Sequence, residues 1–293
     1  MLRKLRSTAY SARRHEILSG VLMLLPVVIA VIVLRVWPFL IAVAGSLTSD
    51  SPEHSIDLTV YRSLFEDPAF KGSLLTTGIY SAIVNPIQII TALAIALLLH
   101  RRIAGGGVWR TLVVLPVVIP QSISAVIWGV ALRPDGPINA VLAALDLPQQ
   151  GFLTSTTQAL PSIIVIVSWV GVGYWMTFLL AGLKDIPMSL YEAAQLDGAN
   201  AWERFIHITL PLLRRPLAFV LVADTVSNFL VFAPVQILTK GGPQGTTNLV
   251  MSEIFTRTFI YGDNRGGAAA TVILVMGVMA VVLIQFRMMR ERG

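Results

Sequence analysis

The segment ALPSIIVIVSWVGVGYWMTFLLAGL, residues 159–183, contains no charged side chain. An α-helix needs about 20 consecutive apolar residues to cross a bilayer, so this segment predicts a membrane span. The whole chain of 293 residues is 55% hydrophobic and only 13% charged, whereas soluble domains carry roughly 25% charged residues. The composition therefore excludes an ordinary soluble protein. Six such stretches are predicted to span: Ile17–Leu47, Ser73–Leu99, Val108–Leu132, Ala159–Leu183, Pro216–Leu238 and Ala268–Phe286. The fold class is an all-α integral membrane protein of six transmembrane helices.

The first stretch contains a charged residue, Arg35. We expect it to interrupt the span, so that the membrane-crossing part is Ile17–Leu34. A signal-peptide core is excluded, because the stretch is too long and lacks a small-residue cleavage pattern.

Lysine and arginine residues are distributed unequally between the two sides of the predicted membrane. Fifteen of the 22 lie in residues 1–16, 100–110, 184–215 and 287–293, and six lie in the opposite connections. Because cytoplasmic loops carry the excess of Lys and Arg, both termini and these two loops are predicted to be cytoplasmic. The chain then divides into a basic N-terminus (1–16), a transmembrane domain (17–286) and a basic tail (287–293). Topology accounts for the net charge of +6, and nucleic acid is not needed as a partner.

The longest predicted cytoplasmic loop, residues 184–215, reads KDIPMSLYEAAQLDGANAWERFIHITLPLLRR. Ser189 and Glu192 have capping-box spacing, which predicts a helix beginning at Leu190. Gly198 suits the left-handed position that ends a helix, and Asn200 with Glu203 repeats the capping pattern. The loop is predicted to form a helix, a glycine turn and a second helix that reaches Pro211. From these residues alone, an amphipathic hairpin lying on the membrane surface is equally consistent.

The same loop resembles the EAA motif of permease subunits in ATP-binding-cassette importers. That motif is EAA, three residues, G, nine residues, I, one residue and LP, and every gap matches here. Other segments resemble the carbohydrate branch, in particular the maltose F-type and glycerol-3-phosphate A-type permeases, among them Leu238–Pro243 and Tyr261-Gly262. The residues that this resemblance assigns to coupling with an ATPase are Glu192, Ala193, Ala194, Asp197, Gly198, Ile208, Leu210 and Pro211.

The resemblance also implies a set of partners and a location. These are a second, homologous permease subunit, two ATP-binding-cassette ATPase subunits, an extracytoplasmic solute-binding protein and the lipid of a bacterial inner membrane. ATP and Mg²⁺ would be bound by the ATPase subunits, and this chain would need no cofactor or metal. In agreement, no stretch of the sequence fits the phosphate-loop pattern G-x-x-x-x-G-K-[ST]. Neither the metal-ligand spacing H-x-x-x-H nor the catalytic elbow G-x-S-x-G occurs, so no enzymatic site is predicted.

Polar and aromatic residues inside the predicted spans mark candidates for a solute path. Asp224 lies near the middle of span five, and Ser227 and Asn228 follow at i+3 and i+4, which predicts one shared helix face. In span four, Trp169, Gly171 and Tyr174 resemble the segment that carries substrate contacts in maltose-type permeases. Aromatic rings can stack on sugars, and a glycine lets a ligand approach the backbone. Helix–helix packing through glycine and interhelical hydrogen bonds is the alternative interpretation. Weaker candidates are Asn85, Gln88, Gln121 and Ser124.

Two classes of function remain open on sequence grounds. The first is a permease subunit of a binding-protein-dependent importer of a sugar, a polyol or a glycerol phosphate compound. The second is a self-contained secondary transporter or channel in which Asp224 couples transport to an ion. Inverted repeats with matching broken helices would favour the second, and none is evident. The absence of Lys and Arg from the middle of spans four and five favours a neutral solute.

Overall fold

The structure is a computed structural model that describes residues 20–48, 56–101 and 104–290. Apart from one isolated bridge between Thr48 and Ile56, these ranges contain helices and loops without strands. The helices are α1 (Gly20–Leu47), α2 (Thr59–Glu66), α3 (Pro68–His100), α4 (Gly106–Val118), α5 (Gln121–Ala131), α6 (Pro137–Ala144), α7 (Ala159–Lys184), α8 (Met188–Leu196), α9 (Ala201–Arg204), α10 (Arg214–Phe229), α11 (Ala233–Leu238), α12 (Val250–Phe255) and α13 (Asn264–Arg290). The predicted N-terminal segment 1–16 lies outside the described residues.

Five segments are long and apolar enough to cross a membrane, and a bent pair of helices supplies a sixth. The five are α1, α3, α7, residues Arg214–Leu238 and α13. The third predicted span, Val108–Leu132, is divided into α4 and α5, which meet at an angle of 98°. The bend lies at Ile119 and Pro120, where both residues have extended backbone angles. A proline cannot donate the backbone hydrogen bond that would continue the helix, so the span predicted over Val108–Leu132 is bent at Pro120.

The expectation that Arg35 would end the first span at Leu34 is wrong. Helix α1 continues to Leu47 through a π-helical turn over Ile32–Val36. The N–H of Trp37 donates to the oxygen of Ile32, five residues back, so the ladder shifts by one residue just before Pro38. A π-turn of this kind absorbs a local irregularity without ending the helix.

The bundle is organised around α3 and α7, which pack along much of their length, with α10 against both. One apolar cluster joins the C-terminal halves of α3 and α7 to α10 and includes Ala92, Leu179 and Val220. A second cluster joins the N-terminal halves and includes Tyr80 and Ile163. Between the two clusters, all three helices contribute buried polar side chains, and these form the centre of the candidate site.

Candidate functional site

A buried cluster of amide and carboxyl side chains joins α3 to α10. The Asn228 amide nitrogen lies 2.8 Å from Asn85 Oδ1, 3.0 Å from Asp224 Oδ1 and 3.4 Å from Gln88 Oε1. Tyr80 donates from its hydroxyl to Asn228 Oδ1 at 3.3 Å. An amide NH₂ carries two hydrogens, so three acceptors compete for two donors, and Gln88 is the most distant of the three.

The cluster extends to two further helices. Gln88 Nε2 donates to the hydroxyl of Ser168 on α7 at 3.3 Å. Thr225 accepts from Asn85 Nδ2 at 3.2 Å and from Gln285 Nε2, on α13, at 2.8 Å. Four membrane helices are therefore tied together at one level by hydrogen bonds between side chains.

Asp224 is fully buried, with 0% of its surface exposed. Its Oδ1 accepts from Asn228, and the side chain of Trp175 approaches the carboxylate, although Oδ2 has no hydrogen bond of normal distance and angle. None of the ion pairs within the described ranges involves Asp224. The carboxylate therefore faces the interior of its own chain.

The predicted common face of Asp224, Ser227 and Asn228 does not form. Asp224 and Asn228 are buried against α3, whereas Ser227 is exposed and donates to the Ala223 carbonyl of its own helix at 2.8 Å. The reason is angular. From Asp224 to Asn228 the helix turns 40° past a full turn, whereas from Asp224 to Ser227 it stops 60° short of one. Ser227 therefore lies 100° away from Asn228, outside the buried side of the helix.

The exposed face of α7 carries the predicted aromatic residues. Trp169 is 38% exposed and Tyr174 is 44% exposed. The ring of Trp169 meets Trp128 of α5 edge to face at 5.5 Å, a contact that the sequence did not predict. Tyr174 contacts Phe178 in the same manner at 5.2 Å. Both rings are partly exposed in the isolated chain, but they point in different directions, because five residues turn an α-helix by 140° past a full turn.

The sequence predicts that a ligand approaches the backbone of Gly171, but in the structure a side chain of α3 fills that space. The amide of Gln88 lies against Gly171: a Cβ atom at position 171 would be 2.6 Å from Gln88 Oε1. The missing side chain thus makes room for a residue of α3. A sequence signal was available, because Asn85 and Gln88 are two amides spaced i, i+3 in an otherwise apolar segment.

The loop between α7 and α10 forms two short helices joined by a glycine turn. Helix α8 is followed by Gly198, whose φ of +83° lies in the left-handed region, as predicted. Asn200 accepts from the N–H groups of Trp202 and Glu203, and the Glu203 carboxylate accepts from the Asn200 N–H, which is the predicted capping box. Helix α9 then continues through a π-helical turn, Phe205–Thr209, and a last turn, Leu210–Leu212.

The predicted capping of α8 by Ser189 is wrong. The helix begins at Met188, directly after Pro187, and no side chain caps it. Pro187 already fixes the backbone angle that starts the helix, which places Ser189 inside the first turn. Glu192 is exposed and has no hydrogen bond or ion pair within the described ranges, so its carboxylate is available to a partner.

Other residues of this loop line a hollow between its two helices. The hollow has a volume of about 410 Å³ and is lined by Ala194, Asp197, Gly198, Ala199, Glu203, Arg204, His207 and Ile208. Tyr191 and Thr209 join the two helices through their hydroxyls at 2.9 Å, and Arg204 donates to the Ala199 carbonyl at 2.9 Å. Leu210 and Pro211 line a separate groove beside the start of α10.

The opposite end of the bundle is held by charged contacts. Arg257 pairs with Glu253 at 2.8 Å and also contacts Asp67. Arg265 pairs with Asp57 at 2.8 Å. Hydrogen bonds from Thr59 and from Arg265 lower the pKa of Asp57 to about 2, so this carboxylate stays ionised at neutral pH.

Comparisons with known proteins agree on one family. Residues 16–292 match the family described as binding-protein-dependent transport system inner membrane component. The chain is 31% identical to the trehalose/maltose transport system permease protein MalF of Thermococcus litoralis, covering 95% of this chain and 96% of that one. It is 30% identical to the sn-glycerol-3-phosphate transport system permease protein UgpA of Yersinia pestis, with 92% and 94% covered.

A similar fold occurs in a solved structure. A chain of the bacterial alginate ABC transporter, crystallised in complex with an alginate pentasaccharide-bound periplasmic protein, superposes with a TM-score of 0.83 at 23% identity. The match covers 96% of each chain, so the arrangement of helices is shared over nearly the whole length.

Proposed function

The chain belongs to the family of binding-protein-dependent transport system inner membrane components, and from this premise we propose that it forms one half of an ATP-driven sugar import path. A second, homologous permease supplies the other half. Two ATPase subunits bind on the cytoplasmic side, and an extracytoplasmic binding protein delivers the solute. One observation carries the proposal: the EAA segment folds as an exposed helix, glycine turn and second helix directly before span five.

The loop is well suited to transmit force from an ATPase. Its helices are joined internally by the Tyr191–Thr209 and Arg204–Ala199 hydrogen bonds, so it can move as one body. Its last turn ends at Leu212 and α10 begins at Arg214, so displacement of the loop passes directly into span five. Glu192, Ala193 and Asp197 are exposed on α8 and its end, where an ATPase surface can contact them.

The solute path lies on the open face of α7 and α10. Trp169 and Tyr174 of α7 and Ser227 of α10 are exposed, and the second permease would close the opposite side of the path. Asp224 and Asn228 belong to the buried cluster that joins α10 to α3 and so support this face of the bundle. Gly171 leaves space for Gln88. The rings of Trp169 and Tyr174, which we call the aromatic wall, suit the apolar faces of a sugar.

A neutral sugar is the solute class that fits best. The relatives named above carry trehalose and maltose in one case and sn-glycerol-3-phosphate in the other. A phosphate group would favour Arg or Lys in the path, and the described middle segments of α7 and α10 contain neither.

Reconstitution tests the function. The chain, its partner permease and its ATPases are placed in proteoliposomes with the loaded binding protein outside, and uptake of labelled solute is measured. We expect uptake only when ATP is supplied on the ATPase side and the binding protein is present. Uptake by this chain alone, driven by an ion gradient, would instead support the secondary transporter that the sequence left open.

The membrane orientation is tested separately with single cysteines, because the chain contains no cysteine of its own. Gln195→Cys in α8 and Thr156→Cys before α7 are both exposed positions. With both termini cytoplasmic, a membrane-impermeant maleimide added to intact cells should label position 156 and leave position 195 unlabelled. The reverse pattern would refute this orientation.

A further inference from the structure

The side chain of Gln88 fills the space that a side chain at position 171 would otherwise need. Gln88 is 1% exposed, and the ideal Cβ of residue 171 would lie 2.6, 2.8 and 3.0 Å from Oε1, Cδ and Nε2 of its amide. All three atoms of the amide group therefore lie within contact distance of the point where a side chain at position 171 would begin. Contacts below 3.0 Å cannot be accommodated without displacing one of the two helices or the amide.

The same amide connects α7 to α10. Its nitrogen donates to Ser168, one turn before Gly171, and its oxygen accepts from Asn228. Both bonds, at 3.3 and 3.4 Å, are longer than the 2.8 Å bond between Asn228 and Asn85. Since Asn228 has two hydrogens for three acceptors, the bond to Gln88 is the one most easily exchanged when α10 shifts.

Trp169 and Tyr174 belong to the same stretch of α7, and both side chains are partly exposed. The stretch from Ser168 to Tyr174 thus carries both the Gln88 contact and the two exposed rings that form the aromatic wall. Where a change in the contact at Gly171 displaces α7 and not the amide, this stretch moves as a unit, because a helix is stiff over two turns.

We propose that Gln88 is a positioning residue of the solute path, setting the distance between the aromatic wall of α7 and the coupled span α10. The inference rests on the proposed function, because it takes the exposed face of α7 as the path. Gln88 itself touches no solute. It acts through Gly171 and Asn228.

A size-swap experiment tests the proposal. Gly171→Ala places a methyl group within 3.0 Å of the Gln88 amide and should reduce ATP-dependent uptake about tenfold, because α7 or the amide must shift to make room for it. Gly78→Ala on α3 is the matched control, because a Cβ atom there has nothing within 4 Å, and it should transport like the parent. The double variant Gln88→Ala with Gly171→Ala should recover most of the lost uptake.

Distances between spin labels test positioning without depending on transport. Val165 on α7 is 61% exposed and Leu230 after α10 is 48% exposed, and neither belongs to the cluster. With nitroxides on Val165→Cys and Leu230→Cys in the assembled complex, Gly171→Ala should shift the mean distance and Gln88→Ala should broaden its distribution. The double variant should return both towards the parent.

Two results would overturn the proposal. One is that the Gly171→Ala complex has the same uptake and the same mean label distance as the Gly78→Ala complex. The other is a double variant no better than Gly171→Ala alone, which would place the defect elsewhere. If the parent complex shows no ATP-dependent uptake, the proposed function fails, whereas the label distances still decide whether Gln88 positions α7.

Discussion

The loop between α7 and α10 and the buried cluster around Asn228 use similar polar side chains in opposite ways. In the loop, hydrogen bonds stay within the loop itself, as in the Asn200–Glu203 capping box. In the cluster, bonds cross between helices that are far apart in sequence, such as Asn85 and Asn228, 143 residues apart. The loop can therefore move without breaking its own contacts, whereas Asn228 holds two helices together through its bonds to Tyr80 and Asn85. Removing Asn228 should disturb assembly, and substitutions in the loop should disturb only coupling.

Asn228→Leu should have the largest effect. It would leave the Tyr80 hydroxyl and one or more buried oxygens of Asn85, Asp224 and Gln88 without their partner. Each buried polar group left unpaired costs about 1–3 kcal/mol, so we expect a large fall in the melting temperature and little assembled complex. Ser227→Ala removes only a bond to the helix backbone and is the control. Equal melting temperatures for the two variants would contradict the role of the cluster.

Gly198→Val should affect coupling without affecting assembly. A Cβ at this position meets no atom within 4 Å, so the only penalty is the left-handed backbone angle, about 1–2 kcal/mol for a residue with a side chain. We expect uptake to fall about tenfold while the complex still purifies intact. Gly198→Asn should retain more uptake, because asparagine tolerates this conformation. Normal uptake in the valine variant would argue against transmission through this turn.

Glu192→Gln separates charge from helix capping. Because the predicted cap by Ser189 does not form, the carboxylate has no structural duty in the described chain. If it binds a basic residue of the ATPase, Gln and Ala should lower binding-protein-stimulated ATP hydrolysis to a similar extent, several-fold at most by analogy with partly exposed charge pairs. Parent-like hydrolysis in both variants would remove Glu192 from the ATPase contact.

Asp224→Asn should have the smallest effect on uptake. The carboxylate is buried with no cation paired to it, and an amide keeps the oxygen that accepts from Asn228. We therefore expect a melting temperature equal to or above that of the parent and uptake within about twofold, a difference of about 0.4 kcal/mol. An intact complex with lost uptake would instead show that solute or a coupling ion reaches Asp224 directly.

The same contrast explains which features the sequence could predict. The positive φ of Gly198 and the Asn200–Glu203 capping box depend on residues within four positions of each other. Both can therefore be predicted from the local sequence. Spans follow from apolar length, and the bend at Pro120 follows from its missing N–H. The partner of Gln88 depends on the crossing of α3 and α7, which no local pattern encodes. For the same reason the sequence grouped Ser227 with Asp224 and Asn228, although helix rotation separates them.

The fit between Gln88 and Gly171 has a consequence for exchanging segments between related permeases. A chimaera that takes its fourth span from one parent and its second from another inherits the two halves of this contact from different sources. Such a hybrid works only when a large amide on one side meets a glycine on the other, or when both positions are of middle size. Substitutions at the two positions are therefore expected to arise together in descent, and a graft intended to alter solute preference should carry both spans.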